Sequence, residues 1–134
     1  SEEVQAKAGC LTGLTFDAGA LIALERRRQR MKEIVERALA KDQPITVPAD
    51  VVGEWWRDRT DLRDSILESV DIEPLPEALA KLAGEALAAV AGATLVDAIV
   101  MASAATRGDI VYSSDVEDLE RLRRHFPSVR VLRA

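Results

Sequence analysis

Four acidic residues are placed where they could act together on a phosphate ester. They are Asp17, Glu54, Asp97 and Asp115. Two carboxylates about 4 Å apart repel each other by about 4 kcal/mol at an effective dielectric constant of about 20, so such a cluster either holds protons or binds a hard divalent cation. Ligands that are all oxygen favour Mg²⁺ or Mn²⁺. A bound metal can lower the pKa of a water for attack on phosphorus, so the chemistry implied is hydrolysis of a phosphodiester.

Two of these acids also have a simpler explanation as helix caps. Asp17 precedes an apolar helical segment and could accept hydrogen bonds from its first amides. Asp115 is followed by Glu117 and Asp118, whose negative charge favours the first turn of a helix. Each acid alone indicates only a helix start, so the functional hypothesis depends on their joint placement.

Asp97 has the spacing of a capping box, in which Thr94 is the cap and the carboxylate three residues later reaches back to it. The helix over residues 95–102 is apolar on nearly every side, which marks it as buried. A carboxylate on a buried helix is unfavourable unless it is paired. This burial favours Asp97 as a site residue over capping alone.

Glu54 lies on a predicted helix with Asp50 four residues before it and Asp58 four residues after it. The three like charges therefore share one helical face. A solvated face explains charges at this spacing, and we assign Asp50 and Asp58 to it. Trp55 and Trp56 indicate that the helix also turns toward a core or a partner, which leaves Glu54 as a site candidate.

The elements that must position these acids alternate between strands and helices. Short apolar or β-branched runs predict strands at residues 11–16, 45–47, 70–72, 110–112 and 129–132. Helical periodicity predicts helices at residues 20–28, 29–40, 49–57, 62–68, 76–90, 95–106 and 116–125. This alternation predicts an α/β fold, a three-layer α/β/α sandwich with a central five-stranded, mostly parallel sheet.

The predicted sheet places two of the acids at strand ends. Asp17 follows the first strand, and Asp115 follows the fourth through Ser113 and Ser114. Sites in such sheets form at the carboxyl ends of the strands, near the point where the strand order reverses. If the strand order is 3-2-1-4-5, these two ends are neighbours and the two carboxylates share one crevice.

Length and composition indicate one domain. The 134 residues are 48% hydrophobic, which suits a single core, so we expect a polar leader, open to disorder, at residues 1–10 and one domain at residues 11–134. No run approaches the roughly 20 apolar residues of a membrane span, and the acidic start lacks the basic flank of a secretory signal. The lone Cys10 excludes an internal disulfide and a cysteine-based zinc site. We expect a cytoplasmic protein.

Four segments together resemble PIN domains, and most closely the VapC-type toxins of toxin–antitoxin systems. They are residues 17–24 (DAGALIAL), 51–57 (VVGEWWR), 96–98 (VDA) and 113–119 (SSDVEDL). The resemblance covers essentially the whole chain after the leader, in order and at family-like spacing. It implies Mg²⁺- or Mn²⁺-dependent endoribonuclease activity on RNA, homodimerisation and neutralisation by a cognate VapB-type antitoxin.

The resemblance also assigns roles to particular residues. The four family acids fall on Asp17, Glu54, Asp97 and Asp115, and the metal ligands would be Asp17, Asp97 and Asp115. Asp118 would be an accessory acid. Ser113 falls where relatives commonly have a threonine or serine that helps to order the site, and its hydroxyl could hydrogen-bond Asp17 or a metal-bound water. Relatives often have a second acid at the position of Thr94, which bears on the number of metals bound.

The net charge of -5 argues against binding nucleic acid by bulk electrostatics. A toxin could still combine an acidic metal crevice with basic rim residues, although ordinary surface charge explains them too. These are Arg26, Arg27, Arg28, Arg57 and Arg107. An antitoxin segment could lie in an apolar groove of the early helices, although core packing explains the same side chains equally well. These are Leu21, Leu24, Ile34, Val35, Leu39, Trp55 and Trp56.

Two other functions fit parts of this pattern. A phosphate-accepting receiver domain also has five parallel strands with acids at their ends, but it needs a lysine after the last strands. None of the four lysines follows a strand end near the acids. A catalytically silent PIN-like module that binds RNA or protein stays open, with the acids retained for capping or RNA contact. Cleavage of RNA distinguishes that module from a toxin.

Overall fold

Five parallel strands form the centre of the fold in the computed structural model, which describes residues 12–134. The predicted leader at residues 1–10 and the first residue of the predicted first strand lie outside the described residues. The strands are β1 (Leu14–Phe16), β2 (Ile45–Pro48), β3 (Asp71–Glu73), β4 (Ile110–Ser113) and β5 (Arg130–Arg133). Their order is β3-β2-β1-β4-β5, and all four pairings are parallel. The ends of β1 and β4 are therefore neighbours.

Residues 12–134 also form seven helices, close to the predicted boundaries. They are α1 (Ala18–Glu25), α2 (Gln29–Ala40), α3 (Ala49–Trp55), α4 (Asp61–Glu68), α5 (Glu77–Ala89), α6 (Leu95–Arg107) and α7 (Val116–Leu122). The start of α1 lies two residues earlier than predicted because Asp17 caps it. The end of α1 lies earlier as well, and Arg27 just beyond it has a left-handed backbone with φ of 57°. No helix in this part of the chain has the length and apolar character needed to cross a membrane.

Helices cover both faces of the sheet. α6 packs against β1, β2 and β4 and contacts α5 and α7, whereas α1 contacts β1, β4, α2, α3 and α4. Seven consecutive residues of α6, 98–104, are buried, as its apolar sequence predicts. β1 and β2 are buried along their whole length, as expected for parallel strands covered on both sides. The predicted three-layer α/β/α sandwich is confirmed.

The apolar side chains considered for an antitoxin groove divide between core and surface. Leu21 is fully buried and Trp55 nearly so, which makes both of them core residues and excludes them from an exposed groove. Leu39 is exposed. The others are partly buried and pack against the core; they are Leu24, Ile34, Val35 and Trp56.

A polar network ties the carboxyl end of α6 to the sheet. Asp109 accepts hydrogen bonds from the Thr15 hydroxyl at 2.8 Å and from Arg107 Nε at 2.9 Å. Arg107 also donates to Thr15 and Ser103 and pairs with Glu73 at the end of β3. The Asp109 side chain is only 4% exposed, so Arg107 supplies its counter-charge. Arg107 was a candidate for an RNA-binding rim or for ordinary surface charge, and the structure shows that its guanidinium is engaged in the fold.

Candidate metal centre

Asp17 lies at the carboxyl end of β1 and begins α1. Its Oδ1 accepts a hydrogen bond from the backbone N–H of Ala20 at 3.0 Å, and its Oδ2 accepts one from the Ser113 hydroxyl. The residue is only 7% exposed. Burial raises the pKa of Asp17 to about 6, and the charges of Asp97 and Asp115 contribute a smaller part of this rise. The two hydrogen bonds lower the pKa and so oppose the shift. Asp17 therefore caps a helix and also lies within an acidic cluster.

Ser113, the last residue of β4, connects the ends of two neighbouring strands. Its buried hydroxyl donates to the Asp17 carboxylate and accepts the backbone N–H of Asp115 at 2.9 Å. One hydroxyl can do both because it has one donor and two lone pairs. The two strands bring these groups together because Phe16 and Tyr112 are paired immediately before them. The hydrogen bond expected between Ser113 and Asp17 is present.

Asp97 lies in the first turn of α6. Its backbone N–H donates to Thr94 Oγ1 at 3.2 Å, so Thr94 caps the helix as expected. The Asp97 side chain is half-buried rather than buried, because the fully buried stretch of α6 begins one residue later. Burial raises the pKa of Asp97, and the charges of Asp118 and Asp115 raise it further, while a hydrogen bond with Thr94 opposes the shift.

Asp115 precedes α7, but its side chain makes no capping hydrogen bond to that helix. Helix capping therefore does not explain this acid, although it explains part of the role of Asp17. Asp115 is exposed and forms no ion pair with another residue of the described chain. Asp118, one turn further along, pairs with Arg121 at 3.8 Å. Asp118 thus lies at the border of the cluster, and Arg121 compensates part of the negative charge of Asp118.

Glu54 lies exposed near the end of α3. Partial burial raises the pKa of Glu54, the charges of Asp97 and Asp50 raise it further, and Arg57 lowers it. The structure therefore brings Glu54 within electrostatic reach of Asp97, although the two residues lie on different helices. The four acids singled out in the sequence form one chain of mutually repelling charges.

The donor set fits a hard divalent cation. Glu54, Asp97 and Asp115 form no ion pair within residues 12–134, so their negative charge is not compensated there. Among the described residues, no three or more acidic, histidine or cysteine side chains lie in an arrangement that could by itself hold a metal ion. Mg²⁺ keeps several waters and needs only one or two protein carboxylates, so an open cluster of oxygens suits it.

Asp50 departs from its predicted place on a solvated face. Both of its carboxylate oxygens are buried and lack a hydrogen-bond partner among the described residues. Burial raises the pKa of Asp50 and the charge of Glu73 adds to this, while the nearby N–H groups of Asp50 and Val51 oppose it. The prediction is wrong for Asp50 because the start of α3 packs against β2. Asp58 lies beyond the end of α3 and so does not share its helical face, but its side chain is 81% exposed and pairs with Arg63, so it is solvated as predicted.

A polar clamp beside Glu54 was not predicted from the sequence. Glu25 accepts a hydrogen bond from Trp55 Nε1 at 3.0 Å and pairs with Arg63 at 2.9 Å. The Arg63 guanidinium also lies 5.9 Å from the centre of the Trp55 ring. The clamp joins α1, α3 and α4, and its members are too far apart in sequence for any local pattern to reveal them. The one available signal was that the indole N–H of Trp55, if buried, needs a hydrogen-bond acceptor.

Gly19 permits a close approach that the sequence did not reveal. A Cβ atom at this position would lie 2.0 Å from Ser114 Oγ and 3.1 Å from the Ser114 backbone nitrogen. The first turn of α1 therefore packs directly on the loop between β4 and α7. This packing holds the segments that carry Asp17 and Asp115 next to each other.

Two solved structures share this architecture over most of the chain. The structure of VapBC2 from Rickettsia felis bound to a DNA fragment from its promoter has a TM-score of 0.71 at 12% identity, covering 90% of this chain and 98% of that chain. The structure of FitAB bound to an IR36 DNA fragment has a TM-score of 0.65 at 17% identity, covering 90% and 94%. No protein-family model and no curated protein matches the sequence.

These similarities define the class of fold. The chain has a PIN-like fold, which it shares with these two structures over most of its length. The fold inferred from the four sequence segments is thereby confirmed.

Proposed function

We propose that the chain is the toxin of a type II toxin–antitoxin system and acts as a Mg²⁺- or Mn²⁺-dependent endoribonuclease. The observation that carries this proposal is the state of Asp17, whose pKa is raised to about 6 by burial and by neighbouring acids. A buried carboxylate kept among like charges is unfavourable for the fold alone, and such perturbed groups are concentrated at functional sites.

The cation would be held by Asp17, Asp97 and Asp115. When bound, it would lower the pKa of a water and neutralise charge on the phosphodiester oxygens. Ser113 fixes the orientation of the Asp17 carboxylate through its hydrogen bond, and it holds the Asp115 backbone through a second one. Asp118 adds negative charge at the border of the cluster and is the accessory acid.

Glu54 is the residue we assign to proton transfer. Its pKa is raised by partial burial and by neighbouring charges, which brings its carboxylate closer to the pH range where it can accept a proton. A Glu54 Oε would take the proton from the attacking water, while the hydroxyl adds to phosphorus and the ester oxygen leaves and takes up a proton from solvent. The clamp of Glu25, Arg63 and Trp55 positions the helix that carries Glu54.

The partner we propose is a cognate VapB-type antitoxin, and the substrate is cytoplasmic RNA. The support for an antitoxin is that both similar structures are toxin–antitoxin complexes. We further propose that the toxin forms a homodimer, as the VapC resemblance implies.

Cleavage of a structured RNA tests the proposed activity. Wild type should cleave with Mg²⁺ or Mn²⁺ and lose activity in chelator. Asp17→Asn and Asp97→Asn should each lower the rate by about 100-fold or more, because each removes a charged ligand. Glu36→Gln is the matched control, because Glu36 is exposed on α2 and belongs to no described ion pair. Activity that survives chelation and both substitutions would contradict the mechanism, and binding without cleavage would favour the catalytically silent module.

A further inference from the structure

A groove runs along α1 and the start of α2, beside the segments that carry Asp17 and Asp115. It encloses about 590 Å³, and its lining includes Gly19, Arg26, Arg28, Gln29, Arg30 and Ser114. Asp17 lies two residues before Gly19, and Asp115 directly follows Ser114. Gly19 and Ser114 also touch each other. The groove is therefore continuous with the segments that carry the proposed metal ligands.

The groove is positively charged although the chain as a whole is negative. Three arginines line it and no acidic side chain does. Arg26 and Arg28 are exposed and form no ion pair within residues 12–134. Arg30 donates from Nε to the backbone oxygen of Arg133 at 2.8 Å, which neutralises none of its charge. This concentration of uncompensated guanidinium groups is suited to an anion.

The start of α2 adds a second source of positive potential. Arg28, Gln29 and Arg30 form the beginning of this 12-residue helix, and all three line the groove. No side chain caps the helix and no acidic residue lies in its first turn. Its first amide N–H groups and the positive end of its dipole therefore remain available to an anion beside the arginines.

We propose that this groove binds the sugar–phosphate backbone of single-stranded RNA next to the bond that the carboxylate cluster cleaves. The proposal rests on the proposed nuclease function. Guanidinium groups bind phosphate oxygens through paired hydrogen bonds. A strand held along the arginines would lead toward Asp17 and Asp115, and this continuity favours RNA over an acidic protein segment. Binding to the backbone supplies affinity without selecting a sequence.

Binding of RNA without cleavage tests the groove. A fluorescently labelled, unstructured RNA oligonucleotide is titrated with protein in chelator, and anisotropy is followed at several salt concentrations. The test variant is Arg26→Ala with Arg28→Ala. The control is Arg37→Ala with Lys41→Ala, which removes the same charge at the other end of α2, where both residues line a cavity beside the first residues of β1 and β4. All four side chains are exposed, and thermal unfolding checks that each variant is folded.

The test variant should bind RNA at least about tenfold more weakly. The logarithm of the binding constant should also fall less steeply with the logarithm of salt concentration, by about 1.4 in slope. Each phosphate of a single strand that a cation no longer neutralises lowers the magnitude of this slope by about 0.7. The control should stay within about twofold of wild type, because a charge beyond the screening length of about 10 Å contributes little at 0.1 M salt. Equal weakening of both variants would overturn the proposal, as would no weakening of either. Loss of antitoxin binding with unchanged RNA binding would overturn it in favour of a protein-binding groove.

Failure of the groove and failure of the nuclease function give different results. If wild-type cleavage needs metal and Asp17 while the test variant binds RNA as the control does, the groove proposal fails and the nuclease function stands. If RNA is bound through Arg26 and Arg28 but no condition gives cleavage, the groove stands as the surface of a silent RNA-binding module.

Discussion

Replacement of Asp17 by asparagine tests whether this carboxylate is held where its charge destabilises the fold. Burial, aided by neighbouring acids, raises its pKa from 3.8 to about 6. The folded state then binds the proton more tightly than the unfolded state, so stability is lost as the pH rises from about 4 to about 6. A difference of about two pKa units corresponds to about 3 kcal/mol at neutral pH.

The asparagine removes this charge penalty but cannot accept the Ser113 hydrogen bond at the same atom, which lowers the gain by about 1 kcal/mol. We expect the metal-free variant to be about 2 kcal/mol more stable than wild type at pH 7.5 and about 0.5 kcal/mol less stable at pH 4. Urea unfolding in chelator measures both values. Asp118→Asn, on the border of the cluster, should change stability by less than about 0.5 kcal/mol. Destabilisation at pH 7.5, or an effect independent of pH, would refute the reasoning.

Three further substitutions probe the surroundings of the site by the same unfolding assay. Arg107→Ala should destabilise by about 3–5 kcal/mol because it leaves the buried Asp109 without a counter-charge, and adding Asp109→Asn should recover part of the loss. Gly19→Ala should cost about 1–3 kcal/mol through its clash with Ser114, and Ser114→Gly should relieve part of that. Asp50→Asn should stabilise at pH 7 and lose this advantage as the pH falls, since burial raises the pKa of Asp50; no gain at pH 7 would contradict its burial.

The fold could be predicted because its signals are local. The run of seven buried residues in α6 is visible as a mostly apolar segment, and most strands are short β-branched or apolar runs, whereas β3 has only Ile72 between two acids. The boundaries of α1 were less accurate, since they depend on the cap at Asp17 and on the left-handed backbone of Arg27. The strand order needed an assumption, because periodicity does not say which strands are neighbours.

Two of the candidate acids could be placed from the sequence because they follow strand ends. The positions of Asp17 and Asp115 after β1 and β4 follow from the alternation of strands and helices, whereas Glu54 depended on family resemblance. The departures from expectation concern residues whose surroundings are set by distant segments. Asp50 has the spacing of a solvated face, but its two carboxylate oxygens are buried where α3 meets the sheet. Arg107 has the charge of a rim residue but is bound to Glu73 and Asp109.

Whether the carboxylates together hold a divalent cation is tested most directly by Mn²⁺ binding to the metal-free protein. Titration followed by electron paramagnetic resonance should show saturable binding to wild type and to Glu36→Gln. Asp17→Asn and Asp97→Asn should each weaken this binding by about tenfold or more, because each removes an anionic oxygen ligand. Equal Mn²⁺ affinity in wild type and both variants, or no saturable binding to wild type, would contradict a metal centre built on these acids.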